Sequence, residues 1–205
     1  MLIAIEGADA VGKATQTAKL AERFRDQGRR VVQWSFPQYN LPTGKLISKF
    51  LRGQVQVGGD VSPAEKAMML QALFTVDRYD MAEAISHAAY REDEENVVIV
   101  DRWWPSGIYG LFDGLIDYDW LVRISSELPR PDHFVLLDVP FEVSRQRRPD
   151  LRDMFETNEA MQRFVREAYK SMWANPPLAG SKWHMIDGTG TPDEVHDLIW
   201  EAVFE

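Results

Sequence analysis

Five short, largely apolar runs, separated by stretches of helical periodicity, constrain this chain more than any other feature. They are Leu2-Ile3-Ala4-Ile5, Val31-Val32-Gln33-Trp34, Val97-Val98-Ile99-Val100, Phe134-Val135-Leu136-Leu137, and the segment from Trp183 to Ile186. Runs of about four apolar residues without regular polar alternation are what strands buried on both faces require. Between them, Ala14 to Gln27 reads as a helix, with Leu20 and Phe24 four apart and Gly28 as its C-terminal stop. A short helix is expected over Gly44 to Leu51, and the glycine-rich stretch Gly53 to Asp60 as a loop. Ser62-Pro63-Ala64-Glu65 is a capping box with proline in the first turn, opening a long helix to about Tyr90. Further helices are expected over Trp120 to Ser126, over Asn158 to Trp173, and after the second capping box, Thr191-Pro192-Asp193-Glu194. Strand–helix alternation of this kind gives a five-stranded parallel sheet covered on both faces, a three-layer α/β/α arrangement. At 205 residues the expectation is one domain, residues 1–205. Ligands of such sheets sit at the carboxyl ends of the strands.

The unusual residues cluster at those ends. Gly7-Ala8-Asp9-Ala10-Val11-Gly12-Lys13 follows the first strand and precedes the first helix, the context in which GxxxxGK cradles phosphate. The glycines let backbone N–H groups turn inward, the helix terminus adds partial positive charge, and Lys13 adds a full one. Ala14 stands where a serine or threonine hydroxyl would reach Mg²⁺, with Thr15 one step later. The third strand ends in Asp101-Arg102, an acid for the metal beside a base for phosphate. Asp138 ends the fourth strand in the same form, so position alone does not choose between the two acids.

Composition excludes several classes. There is no cysteine, hence no disulfide scaffold, thiolate metal site or cysteine nucleophile. The four histidines have no metal-ligand spacing. A formal charge of −9 argues against nucleic acid as a partner, because coating it requires a basic surface. No apolar run approaches the ~20 residues of a membrane span. The chain meets Glu6 too early for a signal peptide, so a cytoplasmic protein is expected.

Taken in order, these segments resemble the thymidylate kinase family of P-loop nucleoside monophosphate kinases. The resemblance rests on the loop from Ile5 to Gln16, on Phe36-Pro37, on Phe74-Thr75-Val76-Asp77-Arg78, and on Asp101-Arg102 with Ser106-Gly107 behind. Leu137-Asp138-Val139-Pro140 with Arg145, and Asp153-Met154-Phe155-Glu156 with Phe164-Val165-Arg166, complete it. It implies a P-loop NTPase-type fold with a small lid at about residues 145–153, ATP as donor, Mg²⁺, and phosphorylation of thymidine monophosphate by a homodimer. By resemblance, Gly7, Ala10, Val11, Gly12, Lys13, Ala14, Thr15 and Arg145 would bind the donor. Asp9, Phe36, Tyr39, Phe74, Arg78, Arg102, Ser106, Tyr109 and Phe155 would bind the acceptor. Phe74 would stack on the base and Arg78 hydrogen-bond it, four residues apart on one helix face. Asp9 would accept from the sugar 3′-hydroxyl. Lys13, Asp101, Arg102, Arg148 and Arg152 form the expected catalytic set, with Asp101 as metal ligand.

Besides Ala14, Tyr39 and Gly110 depart from the family pattern, while Ala10 places the chain among particular members of it. Ala10 replaces a loop arginine found in some members, which shifts the catalytic arginine to the lid segment Arg145 to Asp153. Tyr39 stands where an arginine usually meets the acceptor's phosphate, with Lys45 the nearby cation. Gly110 stands where an aromatic ring usually excludes a 2′-hydroxyl, leaving Tyr109, Trp103 and Trp104 as candidate rings. These departures keep two other readings in view: a kinase for deoxyuridylate or a modified pyrimidine nucleotide, and a nucleotide-binding module without turnover.

Overall fold

The computed structural model describes residues 1–55, 60–90, 96–148 and 155–204. Its five strands are β1 (Leu2–Glu6), β2 (Val31–Ser35), β3 (Val97–Asp101), β4 (His133–Asp138) and β5 (Lys182–Asp187). They form one sheet in the order β2-β3-β1-β4-β5, and every pairing is parallel. β1 and β3 are buried along their whole length. The edge strands carry polar residues along their length, Gln33 and Ser35 in β2 and Lys182 and His184 in β5, whereas the inner strands have them only at their ends. In register, Ile5 lies opposite Asp101, and Glu6 opposite Leu136. The loop leaving β1 therefore emerges between the ends of β3 and β4, where the sheet order reverses and a crevice must open.

The helices are α1 (Lys13–Asp26), α2 (Pro42–Leu51), α3 (Pro63–Tyr90), α4 (Tyr118–Ser125), α5 (Phe141–Arg147), α6 (Glu159–Ala174) and α7 (Pro192–Phe204). Both predicted capping boxes form. Glu65 accepts from the Ser62 backbone at 2.8 Å, and Glu194 from that of Thr191 at 2.8 Å. α2 starts at Pro42 rather than Gly44, because proline's fixed φ suits the first helical turn. α4 starts before Trp120 because Asp117 caps it, accepting from Trp120 N at 2.9 Å. Two elements escape the sequence pattern: α5, too short to show a period, and a 3₁₀ segment, Trp104–Gly114, broken at Phe112 and Asp113. No helix among the described residues is long and apolar enough to cross a membrane.

Candidate active site

The phosphate loop forms as the glycine spacing requires. Gly7 has φ 144° and Gly12 φ 100°, and a Cβ on Gly7 would lie 2.8 Å from the Leu137 carbonyl. Gly12 caps α1, so the first free N–H groups of that helix face the loop. Lys13 is folded back onto the loop, donating to Gly7 O at 3.0 Å and Ala8 O at 2.6 Å. Burial, with the nearby charge of Arg102, brings its ammonium down to about 8. The loop opens into a cavity of about 1100 Å³, which Asp9, Ala10, Val11, Gly12, Lys13, Ala14 and Thr15 line on one side.

The opposite wall comes from distant segments. Phe36 and Tyr39 follow β2, Phe74 and Arg78 lie on α3, Asp101 ends β3, and Arg102, Ser106 and Tyr109 follow it. Phe155 closes the wall from the chain entering α6. Asp9 joins the two sides. Its carboxylate pairs with Arg102, accepts from the Tyr109 hydroxyl at 2.9 Å and accepts from Gln162 Nε2 at 2.7 Å. Burial alone would raise the Asp9 pKa, but Arg102, Lys13 and these donors outweigh it and hold it below the usual value. Burial opposes the charge of Arg102 as well, yet Asp9 carries its pKa well above the ordinary range. Burial brings Arg78 down to about 10, and its Nε has no partner. Burial also pushes the Tyr109 phenol well up, with the Asp9 charge acting in the same direction.

The structure separates the two acids that strand position alone leaves equal, and it agrees with the preference for Asp101 that the following Arg102 gives. Asp138 is held by Arg166 through contacts of 2.5 and 2.9 Å. Asp101 lines the cavity, and its Oδ1 is buried without a hydrogen-bond partner. A buried oxygen without a partner is an unmet demand for a cation or a donor, so Asp101 fits a metal ion, whereas Asp138 is already satisfied.

Several expectations change. Arg148 lines the cavity and lies 3.2 Å from Glu156. Arg145 does not line it; it faces a pocket of about 20 Å³ behind Asp9 and Ala10. The reason is helical: residues two apart on α5 point to nearly opposite sides, so Arg147 reaches the cavity instead. Arg147 also donates to Gly188 O at 2.7 Å, Thr189 O at 2.8 Å and Gly190 O at 3.1 Å, bracing the loop before α7. Arg152 lies outside the described residues. Lys45 is exposed and does not line the cavity; Arg52 does, from just beyond the end of α2. Neither tryptophan can gate the sugar, since Trp103 and Trp104 are in the core. A Cβ at Gly110 would lie 2.6 Å from Gln71 Cγ and 2.7 Å from Ile116 Cδ1, so a larger residue there requires those side chains to shift. Tyr109 is the ring that reaches the cavity.

Three further residues went unassigned in the sequence because no local spacing marks them. Gln162, on α6, accepts from Asp9 N at 3.1 Å while donating to its carboxylate. Glu6 and Tyr169 pair beneath the site at 2.7 Å. An acid directly before a phosphate loop, where a solvent-facing charge has no place, was the one available signal.

A phosphate loop that shares its cavity with a second, arginine-bearing wall is the layout of a P-loop kinase acting between two nucleotides. The sequence matches the model of the thymidylate kinase family over residues 5–199, and the chain belongs to that family. It is 34% identical to a probable thymidylate kinase of Pyrococcus horikoshii, covering 96% of this chain and 92% of the relative. A probable thymidylate kinase of Methanosphaera stadtmanae is 30% identical, covering 100% and 98%, and the thymidylate kinase of Danio rerio 26%, covering 97% and 87%. The solved thymidylate kinase of Candida albicans shares the fold, with a TM-score of 0.77 at 22% identity over 98% of this chain and 90% of that one.

Proposed function

We propose that this chain transfers the γ-phosphoryl group of ATP to thymidine 5′-monophosphate, giving ADP and thymidine diphosphate. The observation that carries the reading is the convergence on Asp9, where the phosphate loop, Arg102 and Tyr109 meet in one cavity. Phosphoryl transfer requires positioning and charge neutralisation far more than covalent work by the protein. The loop amides and Lys13 take the donor's phosphates, and Arg148 reaches the reacting group from the lid. Arg102 takes the acceptor's phosphate and aligns its oxygen with the γ-phosphorus, while the bond to the β-phosphate oxygen breaks. Phe74 and Arg78 hold the base, and Tyr109 stands at the sugar in place of a residue at position 110.

Asp101 is the residue that would hold Mg²⁺, which when bound neutralises charge on the donor's phosphates. Ala14 supplies no hydroxyl, so the protein's share of that site falls on Asp101. The reading treats residues 1–205 as one kinase domain in the cytoplasm, with residues 145–153 as its lid. It also includes a homodimer. Met68, Met69, Val76 and Tyr79 are exposed large side chains on α3, and at 100° per residue they fall within about a quarter to a third of its circumference. An apolar stripe of this kind is what a partner helix covers. Sedimentation at the mass of one chain would reject the dimer.

A coupled ADP-release assay with ATP and Mg²⁺ against deoxy and ribo monophosphates tests the activity. Fastest turnover with thymidylate is the expected result. Another preferred monophosphate would reassign the substrate, and no turnover with any would leave only nucleotide binding.

A further inference from the structure

Beneath the acceptor wall lies a buried carboxylate that the chemistry above does not use. Glu6 closes β1 and is fully enclosed. A buried charge is costly unless its lone pairs are matched by donors. Here three donors match it. Oε1 accepts from the Trp103 backbone N–H at 2.6 Å. Oε2 accepts from the Ser106 hydroxyl at 2.7 Å and from the Tyr169 hydroxyl at 2.7 Å.

Two of these donors frame Arg102. The Trp103 amide is the next N–H along the chain, and Arg102 itself sits at φ 68°, a left-handed conformation that residues with a Cβ rarely adopt. Such a conformation persists only where its surroundings hold it. Ser106 gives its single proton to Glu6, so it presents lone pairs to Arg102 Nη1, 3.5 Å away. The result is a directed chain, guanidinium to hydroxyl to carboxylate, in which the buried negative charge polarises the hydroxyl toward the arginine.

We infer that Glu6 is a positioning residue for the acceptor: it fixes the backbone turn at Arg102 and, through Ser106 on Nη1 while Asp9 holds Nη2, helps set the direction of the guanidinium. Arg102 then meets the acceptor's phosphate already oriented, with less side-chain freedom to lose on binding. The inference rests on the proposed reading, in which Arg102 holds that phosphate. It assigns Glu6 no contact with either nucleotide.

Glu6→Gln is the informative variant because it preserves shape. The amide oxygen still accepts from Trp103 N–H, and both hydroxyls can rotate to accept from its NH₂. Ser106 then turns its proton toward Arg102, reversing the chain. Calorimetry with thymidine monophosphate and, separately, ADP should show the acceptor weakened about tenfold, as for loss of a charge-assisted contact, and ADP unchanged within twofold. The KM for thymidylate should rise in step while that for ATP stays put. Equal weakening of both nucleotides would mean a general scaffold role and overturn the inference, as would no change in either. Should the variant not fold, Ser106→Ala removes the link and leaves the backbone clamp. It should weaken thymidylate about threefold and spare ADP, and an unchanged thymidylate affinity would count against the inference. Wild-type turnover separates the two claims. A wild type that binds thymidylate without phosphorylating it sinks the activity and leaves the Glu6 comparison decisive. A wild type that does not bind thymidylate removes both.

Discussion

The donor and acceptor sides of this cavity are built by different means. On the proposed reading, most of the donor side is one continuous segment, the phosphate loop, offering backbone N–H groups and shaped by Gly7 and Gly12. Lys13, the loop's own charge, rests on the carbonyls of that loop, while Asp101 and Arg148 reach the cavity from other segments. The acceptor side is assembled from side chains on distant segments, and it is already cross-bonded: Asp9 to Arg102, Tyr109 and Gln162, and Glu6 to Ser106 and Tyr169. A backbone cradle tolerates sequence change as long as the turn survives. A side-chain network does not, because each member satisfies another's buried polar group. Substitutions should therefore act locally on the donor side and collectively on the acceptor side.

Lys13→Ala should give the largest effect on turnover with the smallest effect on the fold. Loss of a preorganised charge at the reacting phosphates costs about 10²–10³ in kcat, while thermal unfolding near neutral pH should not fall below wild type, since burying the ammonium carries a penalty that the variant lacks. Near-wild-type turnover in this variant would rule out the loop as the donor site. The same lysine sets a pH limit. Its ligand-free pKa is about 8, and phosphate binding needs the charged form, so kcat/KM for ATP should fall as pH rises past that value. The stability sign is opposite. A depressed amine pKa means that the unfolded chain holds the proton more tightly, so the penalty is present below about 8 and is relieved toward 10.5.

Gly110→Ala probes the acceptor side through packing alone. The added methyl would meet Gln71 Cγ at 2.6 Å and Ile116 Cδ1 at 2.7 Å. Overpacking of this kind costs about 1–3 kcal/mol, seen as a lower denaturant midpoint at an unchanged slope. A variant as stable as wild type would mean that the space is open, and would return position 110 to candidacy beside the sugar.

The same contrast explains what the sequence disclosed. The strands, the two capping boxes and the phosphate loop depend on residues within a few positions of one another, and these were legible. Family resemblance marked Asp9, Phe74, Arg78, Arg102 and Tyr109, and the structure brings these together around one cavity. Spacing could not show that Gln162 binds Asp9 across 153 positions, or that Arg147 rather than Arg145 faces inward. The latter depends on the phase of α5, and seven residues are too few to set a phase from pattern. The tryptophans misled for a related reason: bulk after a strand suggested a gate, but Trp103 packs edge-on against Phe36, with ring centroids 5.2 Å apart, and serves the core.

Tyr109→Phe tests whether the acceptor network acts as a unit. The ring's packing against Phe155, with centroids 5.3 Å apart, survives the change, so any loss comes from the hydroxyl. The hydroxyl that donates to Asp9 is lost, and a hydrogen bond to a charged group contributes about 1.5–3 kcal/mol. Asp9 keeps Arg102 and Gln162, so the loss should fall at the lower end, seen as a lower denaturant midpoint, and if the network acts as a unit the KM for thymidylate should rise as well while that for ATP stays put.

Ala14→Ser is the smallest expected change, and it addresses the donor side alone. The substitution restores a hydroxyl at the residue after Lys13, where phosphate loops place their metal ligand. With Asp101 the only described protein group assigned to the metal, one added oxygen should lower the Mg²⁺ concentration for half-maximal turnover a few-fold, with the KM for thymidylate untouched. A Mg²⁺ titration that does not move would mean that residue 14 lies outside the metal's coordination sphere. A KM for thymidylate that moves with it would mean that the two sides are coupled through the loop, and the division between a local donor side and a collective acceptor side would fail at Asp9, the one residue that belongs to both.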